Sequence, residues 1–368
     1  MTLNKIENAF FELLRIALGT QEKMTVALND AEWKDVAQMA VKQSVLGILF
    51  TAVETLPEEQ RPYNDLYIDM YKWVDTIEQR NEHMNRLTAS VSNRFRKDGF
   101  PNCILKGQGV ALLYPKPLRR HSGDIDIWVK GKMDDILSYV TKRTKPRKTG
   151  YLHIEFQLKN GTPIEAHFRP SFNNNFVTNH KLQKWFKEQQ DEQNENYVNL
   201  PNSEERIPVP THAFNSIFIL HHIYRHFFGE GIGLRQLIDY FYVLKALQEE
   251  TPEKKEYVQR IFKDLDLSKF ASSIMWIFEQ FFFMDKKYLL LEPNAKEGEM
   301  LLSEILIAGN FGKYDERKDL SQKVTTKVVI KRTFKRTVQL MWSYPGEALS
   351  KPFYLVWLFF WRRLNHLT

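Results

Sequence analysis

The stretch that decides the fold is residues 104–131, "ILKGQGVALLYPKPLRRHSGDIDIWVKG". In "HSGDIDIWV" polar and apolar residues alternate with period 2. Ser122, Asp124, Asp126 and Trp128 fall on one side of a strand, and Gly123, Ile125, Ile127 and Val129 on the other. Two carboxylates at i and i+2 point the same way, about 6.5–7 Å apart along the backbone, and repel unless something positive sits between them. A solvated strand edge capped by Arg119 and Arg120 would satisfy that need; so would a divalent cation.

Working outward, "PNCILKG" reads as a short buried strand, followed by a helical "QGVALLY" and a loop with Pro115 and Pro117. "KMDDILSYVTKR" has helical spacing. "YLHIEFQLKNGTPIEAHF" reads as a hairpin about Asn160-Gly161, and its register can be argued. A two-residue loop would mix Ile154, Phe156 and Leu158 with Glu165 and His167 on one face. A three-residue loop, Lys159-Asn160-Gly161 with Gly161 left-handed, puts His153, Glu155, Gln157, Glu165 and His167 on one polar face and sets Glu155 opposite Glu165. Glu165 is then the candidate third acid beside Asp124 and Asp126, with Glu155 as the alternative.

Both flanks are helical in pattern. "NDAEWKDVAQMAVKQSVLGILFTAVETLP" starts at an Asn29 or Asp30 cap and runs toward Pro57. The long segment from Tyr63 closes at Gly99. The expected organisation is α+β: a helical region 1–97, a small mixed-sheet core 98–171, a polar, Asn-rich connecting segment 172–210 and a second helical region 211–368.

Composition bounds the class. An apolar content of 43% with 26% charged residues belongs to a folded chain of 368 residues, long enough for two or three domains. The net charge of +7 favours an anionic partner. The lone Cys103 excludes an intrachain disulfide and a multi-cysteine zinc site. The N-terminal run is interrupted by Glu12 and Arg15, and "PFYLVWLFFW" (352–361) is too short to span a bilayer, so a reducing, cytoplasmic setting is expected. That closing segment is expected to pack in the core, with weak peripheral membrane contact as the alternative. Lys323, Lys327, Lys331 and Lys335 recur every four residues as a basic stripe, a solvated face or one suited to the phosphates of RNA or to an anionic surface. His222 and His226 lack the Glu and third ligand of a zinc motif, and Arg235 with Asp239 reads as a helix ion pair.

The order of strand, glycine turn, helix, D-x-D strand and later acid-bearing strand resembles the DNA-polymerase-β-type nucleotidyltransferases. "LKGQGVALLYPKPLRRHSGDIDIWV", "GTPIEAHFR" and "HHIYRHFF…GLRQLIDY" look like the branch of uncharacterised nucleotidyltransferases found in bacterial biosynthetic and polysaccharide clusters. The resemblance covers roughly residues 30 to 245. It implies transfer of a nucleoside monophosphate from an NTP such as ATP to an acceptor, with Asp124, Asp126 and Glu165 both catalytic and ligands of two Mg²⁺ ions. It also places Lys106 and Gly107 near the triphosphate. The superfamily's usual Gly-Ser pair is replaced here by Lys106-Gly107-Gln108-Gly109, so Lys106, the glycine amides, Arg119, Arg120 and Ser122 are expected to hold the phosphates. The acceptor expected is a small molecule or saccharide, with an RNA or protein acceptor, or a non-catalytic nucleotide-binding relative, as the alternatives.

Overall fold

The computed structural model describes residues 2–201, 205–315, 317 and 326–367. Four helices lead, α1 (Lys5–Leu18), α2 (Asp30–Lys42), α3 (Leu46–Val53) and α4 (Asn64–Lys97). Asn4 and Asn29 start the first two through capping boxes with Glu7 and Glu32. The run between Asn29 and Pro57, expected as one helix, is two. The chain breaks at Ser44, whose φ is +57°. The neighbouring Gln43 side chain is buried and ties the break to distant backbone, donating to Ile305 O and accepting from Leu234 N. Tertiary hydrogen bonds of this kind leave no periodic trace in the sequence. The turn lets α3 bury almost its whole surface.

The sheet follows: β1 (Asn102–Leu105), α5 (Gly107–Ala111), β2 (Ile125–Val129), α6 (Met133–Thr141), β3 (Lys148–Thr149), β4 (His153–Gln157) and β5 (Pro163–His167). Strand order is β1-β2-β5-β4-β3; β2 and β5 run parallel and every other pair antiparallel. The fold is therefore mixed α+β, as expected. The β4–β5 loop is the three-residue one: Gly161 has φ +85°, Leu158 N donates to Thr162 O, and Glu155 lies opposite Glu165.

One face of the sheet, with Ile104, Ile125, Ile127, Ile154 and Ile164, packs on Met84 and Phe95 of α4 and Ile136 of α6. From the other, Cys103, Leu105 and Trp128 enter the larger helical core. Asp126 alternates with Trp128 on this second side, so the acids lie between sheet and helices.

Residues 172–210, expected to be a connecting segment, instead form α7 (Phe176–Glu195) and the pair β6 (Tyr197–Asn199) and β7 (Arg206–Pro208). Within α7 the buried apolar residues are few, Leu182, Trp185 and Phe186, and apart from the exposed Phe176 and Val177 at its start the rest is polar, which hides the helix from a periodicity reading. Helices α8 (His212–Gly229), α9 (Leu234–Leu247), α10 (Pro252–Asp264), α11 (Ser268–Phe281), α12 (Ala295–Ala308), α13 (Thr326–Leu340) and α14 (Pro345–Leu364) complete the chain. Trp128 stacks on Phe214 of α8 with ring centroids 5.7 Å apart, fixing β2 against that helix. Within the expected basic stripe, Lys323 lies outside the described residues, and Lys331 and Lys335 on α13 are exposed. The neighbouring Arg336 turns inward to Phe227 O at 2.7 Å and to Glu304 at 2.9 Å.

Candidate active site

The parallel pairing of β2 with β5 sets Asp126 beside Glu165, and Asp124 immediately precedes β2. One carboxylate oxygen from each of the three lies within 4.8 Å of the others. Asp126 is buried and Asp124 half-buried. The positive groups between the acids are not Arg119 and Arg120. Lys106 Nζ lies 2.9 Å from Asp126 Oδ1, and His167 Nε2 reaches the same oxygen at 2.9 Å and Glu165 Oε2 at 3.2 Å. Lys106 gets there from an unusual backbone, φ +53° and ψ −134°, at the turn between β1 and α5. Gly107 follows at φ +41°, a left-handed backbone that favours glycine.

The electrostatics follow from this crowding. The charge of Asp126, reinforced by burial, pushes the Asp124 carboxyl up to about 6. Burial acts the same way on Asp126, but the Lys106 ammonium and the hydrogen bond from His167 outweigh it and hold Asp126 far below the ordinary carboxylate range. Burial would lower His167; hydrogen bonds to Asp126 and Glu165 instead raise it to about 9, so it is an imidazolium. His153, opposite His167 on β4, is pushed down to about 4 by burial and by the His167 charge, and is neutral.

The remaining expected residues are placed as follows. Arg119 is buried with its donors on Glu54 (2.9 Å), Glu78 (2.7 Å) and Thr51 (3.2 Å). Arg120 grips Asp239 of α9 through Nε at 2.6 Å and Nη2 at 2.8 Å. The fold thus commits both arginines to partners of their own and does not bring Arg119 to the acids. Ser122 Oγ is buried without a hydrogen-bond partner among the described residues. Glu155 sits on the next strand and pairs with Arg147 at 3.5 Å, outside the three-acid cluster. Arg169, two residues past His167, donates to Tyr151 O and covers the Tyr151 ring.

Asp239 does not take Arg235 one helical turn away, because Arg120 reaches it from elsewhere in the chain; Arg235 donates to His121 O at 3.0 Å. Burial lowers both Arg225 (α8) and Arg235 (α9); the charges of Glu230, Glu165 and Asp126 work against it at Arg225, those of Asp239 and, more weakly, Asp124 at Arg235, and each has a buried Nε without a hydrogen-bond partner among the described residues. His226 pairs with Glu230 at 2.9 Å and with Arg225 at 2.7 Å, and among the described residues it joins no three-ligand group with His222. Sequence reasoning missed His167 as a site residue. Its signal was there: two residues beyond Glu165, it shares that residue's face.

A family model described as an uncharacterised nucleotidyltransferase matches residues 29–283, over two thirds of the chain. The chain belongs to the uncharacterised nucleotidyltransferases. It is accordingly a nucleotidyltransferase, a transferase. Among solved structures this nucleotidyltransferase is similar to an antigenic nucleotidyltransferase-like protein from Paracoccidioides brasiliensis, with 11% identity and TM-score 0.35 over 59% of this chain and 97% of that one. It is also similar to the CCA-adding enzyme in complex with ATP (13% identity, TM-score 0.23, 73% and 76% of the two chains). The CCA-adding enzyme in complex with CTP gives 12% identity and TM-score 0.22 over 76% and 79%. No curated protein matches.

Proposed function

We propose that this nucleotidyltransferase moves a nucleoside monophosphate from an NTP to an acceptor hydroxyl or phosphate at the acid end of the β2–β5 pair. The observation that carries the reading is the convergence of Asp124, Asp126 and Glu165 within 4.8 Å. Three hard carboxylate oxygens are the donor chemistry of Mg²⁺, and the reluctance of Asp124 to ionise beside Asp126 is what an added cation relieves, so the residues fit that metal. Magnesium held by Asp124, Asp126 and Glu165, in one or two copies, would supply charge neutralisation for the triphosphate and acidify the acceptor.

The chain's own residues supply the rest. The acceptor oxygen forms a bond to the α-phosphorus, the bond from that phosphorus to the bridging oxygen breaks, and pyrophosphate leaves with the electron pair. Glu165 takes the acceptor's proton; the His167 imidazolium on its Oε2 keeps it ionised beforehand, against the burial that would raise it. Lys106 exchanges Asp126 for phosphate oxygens, and Arg225 and Arg235, whose buried Nε groups have no hydrogen-bond partner among the described residues, supply further donors to the phosphates. Ser122 Oγ is a further donor. Arg120 serves as a brace that holds the segment before Asp124 against α9, and Arg119 has no part in phosphate binding.

The test is the melting temperature of the purified chain with ATP, GTP, CTP or UTP, each with and without Mg²⁺, followed by pyrophosphate release. A Mg²⁺-dependent rise with one nucleotide, absent in Asp124→Asn, is expected. No shift with any of the four overturns the reading.

A further inference from the structure

The C-terminal helices carry a second feature that nucleotide transfer does not use. Eight of the chain's 52 lysines and arginines fall in residues 326–367, against one of its 45 acids, Glu347. That segment therefore holds the whole net charge of +7, and the rest of the chain, with 44 residues of each sign, is neutral.

The same segment exposes apolar side chains in ordered stripes. On α13, Ile330, Phe334 (69% exposed) and Val338 follow one another every four residues, and Trp342 (84%) continues the row past the helix end, with Lys331 and Lys335 exposed alongside. On α14, Leu349, Phe353 (70%), Val356, Phe360 and Leu364 (80%) share one face at i, i+4, i+7, i+11 and i+15.

The opposite face of α14 is docked. Tyr354 stacks on Phe172 at 4.7 Å, Trp357 and Trp361 meet Tyr151 edge-on at 5.2 Å, and Glu347 accepts from the amides of Asn174 and Asn175. The expectation that this segment packs in the core thus holds for one face only. The helices are anchored, and their outer stripes are left to something else.

We propose that α13 and α14 rest on the surface of a lipid bilayer containing anionic headgroups. Charge selects this occupant. A second copy of the chain would bring a like-charged segment to the same place, whereas an anionic leaflet attracts each lysine or arginine near it. Side-chain type agrees. Nucleic acid would use the basic and aromatic residues but has no place for Ile330, Val338, Leu349, Val356 and Leu364, whereas the headgroup–acyl boundary takes Trp, Phe and aliphatic residues together with Lys and Arg. The mode is lying on the surface, since no helix of the described residues is long and apolar enough to cross a membrane.

Co-sedimentation of the full chain with vesicles of phosphatidylcholine alone, and of phosphatidylcholine mixed with phosphatidylglycerol, tests this at low and high salt. Binding to the mixed vesicles only, weakened by salt, is expected. Lys331→Gln and Lys335→Gln should each weaken it roughly fivefold. Trp342→Ser combined with Phe353→Ser and Phe360→Ser should abolish it while leaving the melt and any nucleotide-induced stabilisation unchanged, because all three side chains are exposed. The proposal is overturned by equal binding to neutral vesicles, by no binding to either, or by binding that survives the triple substitution. A concentration-dependent dimer that those substitutions dissociate, or RNA binding without vesicle binding, also overturns it. None of these outcomes depends on nucleotide transfer, which the Mg²⁺-dependent melt tests separately.

Discussion

Asp126 and Asp239 are both buried carboxylates in ion pairs, yet their surroundings differ in kind. Asp239 meets the two-pronged Arg120 at 2.6 and 2.8 Å and the Tyr114 hydroxyl at 2.6 Å, a nearly closed neutral unit joining the segment before β2 to α9. Asp126 has one lysine and one histidine, and Asp124 and Glu165 share that cationic charge. A buried charge with its own partner holds a fold together. Three acids with two direct cationic partners, Lys106 and His167, hold a place open for more positive charge. Burial alone distinguishes nothing here; the local ratio of acids to cations does.

That contrast can be broken by measurement. Asp126→Asn should lower nucleotide transfer by roughly a thousandfold or more while the melt moves only a few degrees. Retained activity would place the chemistry elsewhere. Asp239→Ala should do the reverse, since it leaves Arg120 buried without its anion. It should remove about 3–5 kcal/mol of stability in denaturant titration, with folded molecules keeping much of their turnover; an unchanged midpoint would remove Asp239 from its bracing role.

Lys106→Met should slow transfer by roughly ten- to a hundredfold and move the acid limb of the pH–rate profile upward, because Lys106 lowers Asp124. A limb that does not move contradicts the placement of that ammonium.

The pH dependence of stability is a smaller effect with a definite sign. His167 stands at about 9 in the fold against an ordinary 6.5. Its imidazolium therefore contributes fully below pH 6.5, and the contribution is lost as pH rises through 9. The melting temperature should fall over that window, and His167→Gln should flatten the curve. The smallest effect belongs to Glu155→Gln. Among the described residues the Glu155 carboxylate pairs only with exposed Arg147, so transfer should be unchanged and stability should stay within about 0.5 kcal/mol; a large loss of transfer would make Glu155, not Glu165, the third acid.

Much of the sheet was legible because strand periodicity is short-range. The alternation in "GDIDIWV" put Asp124 and Asp126 together, and sorting polar from apolar faces fixed the β4–β5 loop at three residues, with Glu155 opposite Glu165. The same face rule carries His167 to the acids, although its role as their counter-charge depends on β5 pairing parallel to β2. Helix α7 was not legible, since its buried side is too narrow to show a period. The break at Ser44 was hidden for another reason: Gln43 is held by Ile305 and Leu234, far away in the chain.

The sequence by itself determined which residues share a face, where helix α2 begins and how β4 turns into β5, because these depend on residues within a few positions of one another. It also determined that the net positive charge is gathered at the C-terminal end. Only the tertiary structure decided which cation meets which acid. Arg119 and Arg120 stand next to each other and a few residues from Asp124, yet packing sends one to Glu54 and Glu78 and the other to Asp239, and brings Lys106 and His167 to Asp126. Ion pairs of long side chains form across whatever surfaces packing brings together, so their partners cannot be read from nearness along the chain.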